Sequence, residues 1–415
     1  MKKPRSSNLK VTAENLAALG AERLAEILVS VAGGRADLKR RLRMELAAAQ
    51  GPSALAPEID KRLASFETSQ GKITWRQRPA FLRDLDALRG LIAERLAPLD
   101  VAAAIDRLWR FVGTARPLGR RYRERAGELD AIFVGAAGEL GRLLSVVPAG
   151  PAAADLVDHL AENPGGWKAW LPALLAGAPA ALAEDALRFM SERSGAAPGW
   201  ITLIRQLADA AGDVDAFHAT YAKDALATPA VAAEVARRYL AVARTAEAGD
   251  VLRGSAPKVI RGKASDPDFE WETAWIDYLE QAGQLEAAQS VRWTSFERTL
   301  STARARAFIE RLADFDDVEA ETQAFGIAAK HPDVAAGLRF LMDWPALSNA
   351  SRMIETRAAE VDVLPDEAEL WAGKLRRRHP SAAELLLRKA AAAAFRRRDF
   401  KTCDRLSAEA ETIQV

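Results

Sequence analysis

One cysteine, Cys403, stands in 415 residues, which excludes a disulfide framework and any all-cysteine metal site. Histidine is nearly as scarce. His159, His218, His331 and His379 are scattered, and no two lie four residues apart, the spacing that puts two imidazoles on one helix face. No stretch alternates apolar and polar residues over six positions, so no sheet is expected. An excess of one charge is missing too, since the net charge is +1. No uncharged apolar run approaches the ~20 residues that span a bilayer. Lys2 and Lys3 open the chain, but no apolar run of about 7–15 residues follows, so it lacks the form of a secretory signal. These absences lead us to expect a soluble cytoplasmic protein with no membrane partner. The phosphate cradle Gly-x-x-x-x-Gly-Lys-Ser/Thr, the pair His-Glu-x-x-His and the elbow Gly-x-Ser-x-Gly are all absent. No catalytic residue, cofactor or metal site is therefore expected.

What the chain does have is helix-forming composition. Alanine, leucine, arginine and glutamate dominate, and these residues lose little rotamer freedom in a helix. Leu16, Leu19, Leu24, Ile27, Leu28 and Val31 recur at helical spacing and read as an inward face. The same period predicts one long helix over 81–96, a helix with Ile105, Leu108, Trp109 and Val112 inward, and a helix over 129–147. Residues 117–125 read as a broken, basic loop. Gly135, Gly138 and Gly141 repeat every third residue inside a helix, which points to close helix packing rather than to a dinucleotide site. Pro148-Ala149-Gly150-Pro151 is the strongest break in the chain. Residues 1–150 carry a net charge of +9 and 151–415 a net of −8. Two domains are expected: a basic helical domain at 1–150 and a second at 151–415.

The second part repeats a short pattern. Ala211-Gly212-Asp213-Val214-Asp215-Ala216, Ala282-Gly283-Gln284-Leu285-Glu286-Ala287 and Phe315-Asp316-Asp317-Val318-Glu319-Ala320 have one form, and Arg244–Ala248 is a weaker copy. The alanines 216, 248, 287 and 320 are spaced by 32, 39 and 33. A helix ends at a small residue in a left-handed conformation, a polar residue caps the next helix, and an apolar residue staples the turn. Arg398-Asp399-Phe400 reads as a later copy. A period near 34 is that of tetratricopeptide-like hairpins. The expected fold is all-α, with an irregular α-solenoid of helical hairpins after residue 150.

Asn15-Leu16-x-x-Leu19-Gly20-Ala21-Glu22-Arg23-Leu24, Leu38-Lys39-Arg40-Arg41-Leu42, Arg292-Trp293-x-x-Phe296-Glu297-Arg298, Trp344-Pro345-Ala346-Leu347 and His379-Pro380-x-Ala382-Ala383 resemble an uncharacterised bacterial helical family, domain of unknown function 6880. The resemblance implies one helical architecture across most of the chain and carries no activity with it.

Candidate functional residues are few. Trp271, Trp275, Arg292, Trp293 and Arg298 concentrate aromatic and guanidinium groups on one hairpin, the residue types that dominate binding hot spots. Arg120, Arg121, Tyr122, Arg123 and Arg125 combine charge with a ring that can stack on a base. The acidic runs at 266–272 and 314–321 read as helix starts favoured by the helix dipole, not as cation loops. The expected function is protein or peptide binding, as an interaction or scaffold protein. The alternatives are nucleic-acid binding by the basic half and an enzyme with an unrecognised site.

Overall fold

The computed structural model describes residues 10–122, 127–192, 198–257, 259–260, 263–313 and 315–413. The regular structure of the described residues is helical apart from one short antiparallel ladder, in which Val259 pairs with Ala264 and Ile260 with Lys263. Two-residue strands are too short to give an alternating pattern, so the sequence showed no trace of them. No helix among the described residues is long and apolar enough to cross a membrane.

The chain divides into two compact units, Met1–Tyr221 and Ala222–Val415, rather than at the proline cluster near 150. Proline is tolerated in the first turn of a helix, where its missing N–H has no intrahelical partner to lose. Pro148 and Pro151 therefore start the Ala149–Glu162 helix. The Gly127–Leu144 helix packs on Pro164–Gly177 across that point. Divided at Tyr221, the charge asymmetry narrows to +4 and −3.

In the first unit, helices contact both the next helix and the next but one. Gly127–Leu144 lies on Pro164–Gly177, Ala149–Glu162 on Ala180–Glu192, and Pro164–Gly177 on Trp200–Ala211. Gly141 permits the first of these contacts. A Cβ at that position would collide with the carbonyl oxygen of Leu174 and lie 2.8 Å from its carbon. The helix expected over 81–96 is α-helical over Arg78–Gly90 and widens to a π-turn over Leu91–Leu96. Residues 115–122 are helical rather than broken. The amphipathic face near the start has less cover than its pattern implied. Leu16, Leu19, Leu28 and Val31 are exposed, and Ala32 alone is buried in Ala21–Ala32.

Where Gly127–Leu144 meets Arg78–Gly90, the buried Glu139 pairs with Arg89. Burial pushes the Glu139 carboxyl above the usual carboxylate range, and Arg89 offsets part of that rise. An acid raised on folding binds more protons in the native state, so its contribution to stability falls as pH rises through the window above its unfolded value. Glu139→Gln removes that slope. Urea titrations are expected to show the variant gaining stability relative to wild type as pH rises above the ordinary glutamate value of about 4.3.

Four of the expected hairpin turns share one geometry. The N–H of Asp213 bonds to Ala208 O at 2.9 Å, Arg244 to Tyr239 O at 2.9 Å, Gln284 to Leu279 O at 2.8 Å and Asp399 to Ala394 O at 3.0 Å. Each bond reaches back five residues, the wrap that satisfies the last carbonyls of a helix. The residue before each donor is left-handed: Gly212 at φ 69, Ala243 at 59, Gly283 at 75 and Arg398 at 62. Two of these four carry a side chain where glycine fits without penalty. Ala243→Gly and Arg398→Gly are each expected to stabilise the second unit by about 1 kcal/mol, read from thermal melts. The copy at 315–320 opens the Asp316–Lys330 helix through a different turn, with Phe315 itself at φ 80. Ala248 and Ala320 are buried as aligned, but at the third position Ala288 is buried and Ala287 is exposed. The apolar staple holds at Val214, which is buried, and not at Leu285 or Val318, which are exposed.

Candidate functional site

Of the five residues singled out on the second-unit hairpin, Trp271 and Arg292 are buried and Trp275, Trp293 and Arg298 are half-buried. Trp271 is 6 % exposed. Its indole N–H donates to Leu252 O at 3.2 Å and Ser255 Oγ at 2.9 Å. Trp275 is half-buried and stacks on it with ring centres 5.5 Å apart. Trp293 packs against Phe296 and Phe308, and its N–H donates to Glu297 at 2.9 Å. Arg292 is 3 % exposed and pairs with Glu280 at 2.5 Å. Arg298 pairs at 2.8 Å with Glu272, itself 4 % exposed. Each of the five thus has a partner within this hairpin or the elements beside it. The Phe269–Gln281 helix carries four carboxylates, at 270, 272, 277 and 280, and the arginines of neighbouring helices neutralise three of them.

The basic run fares similarly. Tyr122 is 1 % exposed, with its ring against Phe81 and under the Arg78 guanidinium, so it offers no face to a base. Arg121 Nε donates to Gly71 O at 2.9 Å. Arg120 is exposed, and Arg123 and Arg125 lie outside the described residues. Of the acidic runs, Asp268 caps Phe269–Gln281 by accepting from the backbone N–H of Glu270 and Trp271. Asp316, Asp317 and Glu319 fill the first turn of Asp316–Lys330. Among the described residues no three His, Cys, Asp or Glu side chains group as a metal site.

Among the described residues, the clefts of the first unit include one of about 420 Å³ lined by Glu184, Arg188, Ser191 and Asp213 and two more. One, of about 240 Å³, lies beside the π-turn and is lined by Arg40, Arg62, Asp84, Arg89, Glu94 and Arg95. Its charges largely satisfy one another. Asp84 takes Arg62 and, at 3.7 Å, Arg40; Arg95 pairs with Glu45 at 3.3 Å, and Arg89 with Asp86 at 2.8 Å.

The other cleft, of about 350 Å³, has aromatic walls. Three helices and the start of a fourth build it. Val101–Gly113, capped by Asp100 on Ala103 N, supplies Trp109. Ala149–Glu162 ends with His159 and Glu162. Asn163 caps Pro164–Gly177, which brings Trp167 and Trp170 three residues apart. Arg116 opens the Ala115–Tyr122 helix at the rim. The His159 imidazole stacks on Trp109 with centres 4.3 Å apart and planes 17° apart. Trp167 stands edge-on to both Trp109 and Trp170, at 5.7 Å from each. Trp170 donates to Asp130 at 3.3 Å, and His159 Nδ1 lies 3.6 Å from Glu162. Two donors remain over. The Trp109 indole N–H is buried with no acceptor, and Arg116 is exposed with no ion partner among the described residues. The sequence reading placed Trp109 in the core and missed the cleft. The one local signal was the pair Trp167 and Trp170 directly after the Asn163-Pro164 cap.

The profile of a family of unknown function, DUF6880, matches residues 6–198 and 190–409. The chain belongs to that family, and neither matched stretch breaks at residue 150. No curated protein and no solved structure matches the chain.

Proposed function

We propose that this member of the family is a binding protein built from stacked, tetratricopeptide-like helical hairpins, and that it holds a peptide segment of a partner protein in the tryptophan-lined cleft of its first unit. The observation that carries this reading is the cleft itself. Trp109, Trp167 and Trp170 are 6, 2 and 4 % exposed, so their indoles, the side chain most enriched at the centre of binding interfaces, become contact area once a wall of the cleft moves aside. Its volume falls within the range of small-ligand pockets, about 300–1,000 Å³. The repeated turn and the contacts between alternate helices support the hairpin-array part of the reading, since hairpins stack to bury faces that one alone leaves wet.

Panning displayed random peptides on the purified chain tests the reading. A short enriched motif, competed by its own synthetic peptide, is the expected result. Absence of enrichment over empty support after repeated rounds contradicts it. A parallel titration with duplex and single-stranded DNA and RNA at ~50 and ~200 mM salt is expected to show no steeply salt-dependent complex, the signature that phosphate binding would leave.

A further inference from the structure

We infer that the tryptophan-lined cleft recognises a carboxylate next to a large apolar side chain, on a peptide. This rests on the peptide-binding reading above and adds the chemistry of the ligand.

The argument is one of unmatched groups. Four polar side chains at the cleft already have partners: Trp170 gives its N–H to Asp130, Asn163 accepts from Gly166 N, and His159 and Glu162 face each other. The two left over, Trp109 and Arg116, are both donors. A ligand that satisfies them brings acceptors, and a guanidinium matches the two oxygens of a carboxylate best. A buried N–H without an acceptor carries an unmet desolvation cost of about 1–3 kcal/mol, which an arriving oxygen recovers. Access to Trp109 takes a side-chain movement, and His159 is the wall suited to it, being half-exposed and held by stacking and one contact to a solvated carboxylate. The Trp109 ring it would uncover, backed by the buried Trp167 and Trp170, then takes an apolar side chain. The first unit's net charge of +4 favours the same sign of ligand.

The carboxylate can belong to an acidic side chain or to a peptide C-terminus, and calorimetry with four acetylated tetrapeptides separates them. One ends in Leu with a free carboxylate, and its amide removes that charge. A third, amidated, places Asp before Leu, and a fourth places Lys there. Binding of the first alone assigns a C-terminal carboxylate. Binding of the third alone assigns an acidic side chain, and binding of both shows that the site takes a carboxylate from either source. Each of these results supports the inference if Arg116→Ala, an exposed position whose loss leaves the fold intact, weakens it about tenfold or more, the equivalent of a charge-assisted hydrogen bond. Trp109→Phe keeps a ring and removes the donor, and a further loss in that variant is expected. Equal affinity for all four peptides, no binding of any at about 5 mM, or an unchanged affinity in Arg116→Ala overturns the inference. Peptides enriched by panning that bind this cleft without a carboxylate overturn it alone; failure to enrich any peptide overturns the binding reading beneath it.

Discussion

Gly141→Ala is expected to unfold the first unit well below the wild-type temperature, while Gly138→Ala, three residues earlier on the same helix, is expected to be neutral or mildly stabilising. At Gly141 the added methyl meets main chain, the carbonyl of Leu174, which has no rotamer to yield. Overpacking a core costs about 1–3 kcal/mol and occasionally more; a clash with backbone places this site at the upper end, about 3 kcal/mol. For a unit of this size that is a fall in Tm of roughly 6–12 °C. At Gly138 the nearest atom, Ala173 O, is 3.6 Å away, an ordinary contact. There the lower chain entropy of alanine is worth about 0.5–1 kcal/mol. Calorimetric melts of the two variants side by side distinguish a specific helix contact from a general intolerance of alanine. Equal melting points would show that the two helices lie farther apart than described.

Arg298→Ala is the second large effect. It strands the Glu272 carboxylate, 4 % exposed, with the Ser295 hydroxyl at 2.5 Å as its remaining hydrogen-bond partner among the described residues. Removing one member of a buried ion pair costs about 3–5 kcal/mol, because the other is left uncompensated. Replacing both residues together, Arg298→Leu with Glu272→Met, is expected to recover most of that loss, as well-packed apolar substitutes for buried pairs do. Urea denaturation of the single and double variants gives the comparison. A single variant as stable as wild type would mean that Arg298 is not committed to the core and is available to a partner.

The periodicity made the helices legible, and left-handed glycines marked two of the four shared turns. It could not show which helices lie beside each other. Trp109 is far in sequence from His159 and Trp167, and the cap at Asn163 and the packing of Val101–Gly113 bring the three together. In the sequence Trp109 sits among Leu108 and Val112 and reads as one more core residue. Conversely, Trp271, Trp275, Arg292, Trp293 and Arg298 cluster in the sequence because a hairpin with buried carboxylates needs arginines to neutralise them. Composition alone does not distinguish that from a hot spot. The π-turn after Gly90 stayed hidden because Leu88, Leu91, Ile92 and Leu96 fit an α-helical stripe almost as well. The proline cluster near 150 reads as a break and yet starts the Ala149–Glu162 helix, because proline stops a helix from within and starts one from its first turn. The left-handed turns at Ala243 and Arg398 gave only weak signals, since neither residue is a glycine.

The most direct test of the account uses the ten tryptophans as reporters. Fluorine NMR of protein labelled with 5-fluorotryptophan gives one resonance for each, assigned by single replacement with phenylalanine. On titration with the peptide that panning enriches, the resonances of Trp109, Trp167 and Trp170 are predicted to move together and saturate at the calorimetric affinity. Those of Trp271, Trp275 and Trp293 are predicted to stay in place. Movement of the second set with the first unchanged would return the binding surface to the Phe269–Leu300 hairpin and contradict the assignment of the cleft.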